Sequence, residues 1–165
     1  RLKGRPKGQP LQILLEDVNR VSDFAIRIPG YAHEIMKKYW PGGITLVLPA
    51  KRGLPGYCTG PGVTVGLRIP NMLDLLDLIK MAGGSLASTS ANLSGEESPL
   101  SVDEIPESIR AGASYLIDGG ALSQGPASTV LDCTMDQPKL IRAGAVPEEA
   151  LQEFGLEKSS DKGAE

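Results

Sequence analysis

The segment Val63-Thr-Val-Gly-Leu-Arg-Ile69 constrains the fold more than any other. Its strict alternation puts Val63, Val65, Leu67 and Ile69 on one side of a strand and Thr64, Gly66 and Arg68 on the other. The first side is a core face. A face made of Thr, Gly and Arg is odd for solvent and suits the wall of a polar cleft, where Gly66 leaves space and Thr64 and Arg68 frame it. Pro70 ends the strand, because proline has no N–H to give to a ladder. Ile44-Thr-Leu-Val-Leu48 is expected to be a companion strand, rich in β-branched residues and closed by Pro49.

The remaining segments arrange themselves around this pair. Leu11–Leu15 reads as a strand, and Asp17 as the N-cap of a short helix through Val21 and Phe24. Ala32, Ile35, Met36 and Tyr39 recur at helical spacing, which predicts a helix over 31–39 stopped by Pro41-Gly42-Gly43. Met72, Leu75, Leu76 and Ile79 predict another over 71–82, ended by Gly83-Gly84. Ser85–Ser88 opens as a strand. Ser101 with Glu104 matches a capping box for a short helix that must absorb Pro106. Strands are expected at Tyr115–Asp118, Ser128–Asp132 and Lys139–Arg142, and a last helix over 148–154. Helices interleaved with short strands make a mixed α/β plan. The length of 165 residues suits one domain with a real core.

Composition narrows the function classes. A net charge of -3 argues against a surface that coats nucleic acid, while leaving room for a local basic patch. Such a patch could lie in residues 1–10, where Arg1, Lys3, Arg5 and Lys7 sit on a loop stiffened by Pro6 and Pro10; a solvated charged terminus is the plainer alternative. Cys58 and Cys133 lie far apart without metal-type spacing, as expected in a reducing cytoplasmic compartment. No apolar run reaches the roughly 18–20 residues that span a bilayer, so no membrane is expected among the partners. His33, the single histidine, has no Cys or His at metal spacing and reads as a surface residue.

The stretch from Ser88 to Ser94 carries the hydroxyls of Ser88, Thr89, Ser90 and Ser94 and the carboxamide of Asn92. Such residues suit a polar strand-to-loop turn as well as a ligand site that hydrogen-bonds phosphate, ribose or carboxylate. Three separate segments offer the same kind of surface, with cations at Lys3, Arg5, Arg68 and Arg142 and hydroxyls or amides at Thr64, Ser88, Ser90, Asn92, Ser98 and Ser128. There is no Ser-His-Asp combination, nucleophile elbow, phosphate-binding Gly-x-x-x-x-Gly-Lys loop or metal cluster in the sequence. A site of Arg, Lys, Ser, Thr and Asn acts by positioning and charge stabilisation, which is what adenylyl or phosphoryl transfer chiefly asks of a protein.

Lys3-Gly-Arg5-Pro6 with Pro10-Leu11, Trp40–Leu48, Thr64–Pro70, Ser88–Gly95, Ser128–Asp132 and Ile141–Gly144, in that order and at compatible spacing, resemble the YrdC/TsaC family. Its members are threonylcarbamoyl-AMP synthases. The resemblance implies a twisted, mixed open α/β sheet with flanking helices around a basic cavity. It also implies a nucleotidyl transfer in which L-threonine, bicarbonate and ATP, with Mg²⁺, give threonylcarbamoyl-adenylate and pyrophosphate for a tRNA modification completed by downstream transfer machinery. Carried over by position, Lys3, Arg5, Gln9, Thr64, Ser88, Asn92, Ser98 and Arg142 would bind ATP, and Arg68, Ser90 and Ser128 would bind threonine. No residue is marked as a general base, and none as a metal ligand.

The chain departs from the family pattern in three places. It begins without the family's upstream strand and turn, so residues 1–157 are expected to form one domain lacking that element, with 158–165 a disordered tail. Leu14 stands where some members have a histidine, and Gln9 where many have an asparagine. Two other readings compete with the synthase: a module that holds tRNA or other RNA in the basic cavity without catalysis, and a carbamoyl-adenylate domain of a hydrogenase-maturation protein.

Overall fold

The computed structural model describes residues 3–4, 8–121 and 126–157. Arg5 and most of the basic opening loop, the centre of the 121–127 loop and the expected tail from Lys158 lie outside the described residues. Six strands form one sheet: β1 (Gln12–Leu15), β2 (Ile44–Pro49), β3 (Thr64–Arg68), β4 (Ser85–Ser88), β5 (Thr129–Asp132) and β6 (Lys139–Arg142). Their spatial order is β4-β1-β3-β2-β5-β6. β1 runs parallel to β3 and β2 to β5, while the β1–β4, β2–β3 and β5–β6 pairs are antiparallel. The sheet is therefore mixed and open, as the sequence resemblance implied.

Its apolar face is built by alternation. Ile13, Leu67, Leu46 and Leu131 stand opposite one another across four successive strands. All four are buried, together with Leu15, Ile44, Leu48 and Val65. Burying one such side chain contributes about 1.5–3 kcal/mol, so this row fixes both register and facing. α1 (Val21–Phe24) adds Val21 and α2 (Gly30–Tyr39) adds Ala32, Ile35 and Met36 to the same cluster. Leu151 joins from the helical turn Glu148–Phe154, which is a 3-10 helix. Asp17 caps as expected, its carboxylate accepting from the Asn19 N–H at 2.7 Å. His33 is exposed on α2. Among the described residues no helix is long and apolar enough to cross a membrane.

Several sequence expectations need correction. Tyr115–Asp118 is not a strand: among the described residues it has no ladder partner, and Tyr115 and Ile117 are 90% and 74% exposed. An apolar β-branched run becomes a strand only where another backbone supplies hydrogen bonds. The helix α3 (Leu73–Met81) buries Ile79, but Leu78 within it and Met72 at its N-cap are each 40% exposed, because the helix packs chiefly on β4, at the edge of the sheet, and on β1 beside it. Ser101 makes no side-chain cap; Glu104 Oε2 instead accepts from the Leu100 N–H at 2.8 Å. Pro106 then separates the 3-10 turn Val102–Glu104 from α4 (Glu107–Arg110), since the residue before a proline avoids helical ψ.

Val63, expected on the core face of β3, stands just outside it with φ 57 and is 55% exposed. The turn around it is tied down at both ends: the Gly60 N–H donates to Thr64 O at 2.8 Å and the Ala50 N–H to Val63 O at 2.8 Å. A β-branched residue in the left-handed region is strained. Val63→Asn, which tolerates that conformation, is expected to raise stability by about 1 kcal/mol. A denaturation midpoint that fails to rise would place no strain there.

Both cysteines are free and buried in the apolar cluster. Burial, and then the neighbouring Asp132 carboxylate, push the Cys133 thiol up to about 12, and burial also raises Cys58. Thiolate, not thiol, is the reactive form. Neither sulfur is expected to react with a disulfide reagent at about pH 8, near the ordinary thiol range, until the chain is unfolded; rapid labelling of the native protein would contradict this packing.

Candidate functional site

The side of the sheet opposite the leucine row opens into a cavity of about 470 Å³. Alternation places its wall. On β3, burying Val65 and Leu67 turns Thr64, Gly66 and Arg68 outward, and on β2, burying Ile44, Leu46 and Leu48 turns Thr45 and Val47 the same way. Ser88, Thr89, Ser90 and Ser98 supply a second wall from β4 and the segment after it, and Ala127, Ser128, Val130 and Arg142 a third from β5 and β6. Thus Thr64, Arg68, Ser88, Ser90, Ser98, Ser128 and Arg142, scattered over the sequence, line one space. None of the lining residues is acidic.

The two guanidiniums are held by backbone oxygens. Arg68 Nε donates to Gly42 O at 2.8 Å. Its pKa is lowered first by burial and then by the nearby Arg142 charge, yet guanidinium stays protonated across the physiological range. Arg142 donates through Nη2 and Nε to Ser128 O at 2.7 and 3.2 Å, and through Nη2 to Ser128 Oγ at 3.2 Å. Two like charges directed into one partly buried space, with no lining carboxylate between them, favour an anion with two or more acceptor oxygens. A carboxylate or a phosphate satisfies that requirement.

Lys3 and Asn92 belong to the rim rather than the lining. Lys3 Nζ donates to Asn92 Oδ1 at 2.9 Å, to Ser90 Oγ at 3.3 Å and to Ser90 O. Asn92 is 8% exposed and donates from Nδ2 to Glu96 O at 2.6 Å, while the Ser94 N–H donates to Lys3 O at 3.0 Å. Asn92 therefore ties the Ser-rich segment to the opening loop. Gln9 is exposed and outside the lining, and Arg5 lies outside the described residues. Leu14, paired with Arg68 across β1 and β3, is buried. Sequence reasoning missed Gln12 and Thr45, both of which line the cavity. A signal existed: Thr45 is a polar residue between the core residues Ile44 and Leu46, and Gln12 opens an otherwise apolar strand next to the core residue Ile13.

No group of three or more His, Cys, Asp or Glu among the described residues is placed to hold a metal ion. The oxygen donors among the described lining side chains are serine and threonine hydroxyls and the Gln12 carboxamide.

The wall at Ser128 depends on Gly144. A Cβ there would meet Ala127 O at 2.1 Å, Ser128 C at 2.5 Å and Thr129 N at 2.5 Å, all backbone atoms that cannot swing away. Close passage is enforced by the Ala145 N–H donating to Ala127 O at 2.9 Å and by Thr129 Oγ1, which donates to Val146 O at 2.7 Å and accepts from the Val146 N–H at 2.9 Å. Gly144→Ala is expected to destabilise the fold by about 2–3 kcal/mol, in the manner of an overpacked core, and to weaken anion binding by moving the Arg142 anchor. Wild-type stability and affinity in this variant would contradict the packing.

The family model for Sua5/YciO/YrdC proteins, described as telomere recombination, matches residues 1–144. The threonylcarbamoyl-AMP synthase of Bacillus subtilis is 36% identical over 151 residues, covering 91% of this chain and 44% of that protein. That of Pyrococcus abyssi is 37% identical over 150 residues, again 91% and 44%. The crystal structure of Pyrococcus abyssi Sua5 complexed with L-threonine matches with a TM-score of 0.87 at 34% identity, over 98% of this chain and 50% of that one. The chain thus spans about half the length of these relatives. With the mixed six-stranded sheet, the match over residues 1–144 and identities above one third, the chain belongs to the Sua5/YciO/YrdC family.

Proposed function

We propose that the cavity binds ATP and L-threonine, and that the protein carrying this chain is a threonylcarbamoyl-AMP synthase. The observation that carries the reading is the convergence of Arg68 and Arg142 on one hydroxyl-lined cavity with no carboxylate among its described lining residues. The reaction joins two anionic substrates, an amino acid and a nucleotide, and the site supplies positive charge and hydroxyl donors for both. The threonine amine and bicarbonate form a carbamate with loss of water. A carbamate oxygen then attacks the α-phosphorus of ATP; the bond from that phosphorus to the bridging oxygen breaks, and pyrophosphate leaves.

In this reading Arg68 holds the amino acid's carboxylate and Arg142 the phosphates, while Thr64, Ser88 and Ser98 meet the nucleotide and Ser90 and Ser128 the amino acid. Among the described residues the lining has no histidine or carboxylate to act as base, so its contribution is to orient the reactants and stabilise charge. Mg²⁺ fits as an ion carried in on the triphosphate, since it binds phosphates while retaining water, and the lining supplies hydroxyls rather than carboxylates. The product would serve tRNA modification in the cytoplasm, a reducing compartment that suits the two free thiols.

The test is threonine-dependent release of pyrophosphate by the intact protein from ATP, threonine and bicarbonate. Removing one charged partner of a substrate anion costs about 10- to 100-fold, so Arg68→Ala is expected to lower kcat/KM for threonine by that factor, and Arg68→Lys to recover only part of it. No threonine-dependent release by the intact protein would overturn the assignment. Salt-sensitive RNA binding that survives Arg68→Ala and displaces ATP would favour an RNA-holding role instead.

A further inference from the structure

Two cavity residues lie outside the set proposed to touch substrate, and their hydrogen bonds give Ser128 a direction. Thr45 and Ser128 are 3% and 5% exposed, and buried hydroxyls are hydrogen-bonded almost without exception. Thr45 Oγ1 donates to Gln12 Oε1 at 3.2 Å and lies 2.9 Å from Ser128 Oγ. A hydroxyl has one proton. With the Thr45 proton committed to Gln12, the proton between the two hydroxyls must come from Ser128. Ser128 Oγ meanwhile accepts from Arg142 Nη2 at 3.2 Å. Its proton is spent toward Thr45, and what remains to face the cavity is a lone pair.

We infer that Gln12 and Thr45 are positioning residues that set Ser128 as a hydrogen-bond acceptor, and that the substrate group it reads is an uncharged donor, the β-hydroxyl of the amino acid. A carboxylate or phosphate oxygen has no proton to offer that lone pair. An ammonium would sit beside the Arg142 guanidinium, which repels it. The neutral hydroxyls of the two substrates, the amino acid's β-hydroxyl and the nucleotide's ribose hydroxyls, meet neither objection, and the ATP arm of the test separates them. The inference rests on the proposed binding of an amino acid and adds to it a reason for selecting one that carries a hydroxyl.

The experiment compares the intact protein's affinity for L-threonine, for L-valine (a methyl in place of the hydroxyl) and for ATP in wild type, Thr45→Val, Gln12→Met and Gln12→Glu. A site built to bond a substrate hydroxyl discriminates against the analogue lacking it. Losing one such hydrogen bond is worth roughly tenfold. Thr45→Val and Gln12→Met are therefore expected to shrink the threonine-to-valine ratio about tenfold, with ATP affinity and thermal midpoint close to wild type. Gln12→Glu, an acceptor like the amide oxygen it replaces, is expected to keep the ratio. An unchanged ratio in Thr45→Val, or equal loss for all three ligands, would overturn the inference. Deuterium positions from neutron diffraction of the ligand-free protein give a second readout: a deuteron on Ser128 Oγ directed at Thr45 supports the relay, and one directed into the cavity overturns it. If the wild-type protein binds neither amino acid, the proposed function falls, and the deuterium positions still decide the polarity of the relay.

Discussion

Everything in this structure depends on the pleat of two adjacent strands. β2 and β3 lie side by side in the middle of the sheet, and successive side chains of a strand must point to opposite faces. Once Leu46 and Leu67 are locked against Ile13 and Leu131 in the apolar row, Thr45, Gly66 and Arg68 have no freedom about which side they occupy. Core and cavity are thus one constraint seen from two sides. A slip of a single residue in β3 would turn Arg68 in among leucines and take its charge out of the cavity, a double cost that protects the register.

The cations are secured by the backbone rather than by carboxylates. Arg68 leans on the carbonyl of Gly42, and Arg142 on that of Ser128. A carbonyl orients a guanidinium without neutralising it, so the positive charge stays available to a ligand, whereas a salt-bridged arginine would have to exchange one partner for another. The same economy shapes the local sequence. Gly144 lets the chain pass against the Ala127–Thr129 backbone, and Thr129 stitches the two segments by donating to and accepting from Val146.

How far the sequence could be read varies with how local the determining interaction is. The alternation in 63–69 announced a polar wall, and the structure sets Thr64, Gly66 and Arg68 in it. Hydroxyls at 88, 90, 98 and 128 were legible as candidates because small polar residues at strand ends are conspicuous. Thr45 and Gln12 escaped notice because one polar residue in an apolar strand looks like an ordinary interruption until the facing of the strand is known. Asn92 stood out in the sequence as a polar residue in a small-residue stretch, but its bond to Lys3, 89 positions away, could not be read there. The failed strand at 115–118 and the half-exposed α3 share a cause. Propensity and periodicity describe what a segment can bury, not whether a neighbour is there to bury it.

By itself the sequence determined the alternation of strands and helices, the faces of β3 and α2, and the kind of chemistry at stake, since each follows from the order of residues within a few turns of chain. Its motif order also pointed to the family. Tertiary structure alone decided that the cations and hydroxyls of three distant segments share one cavity, that Lys3 and Asn92 close its rim, and that Gln12, Thr45 and Ser128 form a hydrogen-bonded line. Those facts are set by strand order and by single hydrogen bonds between residues 33 and 83 or more positions apart, distances over which local sequence carries no information about contact.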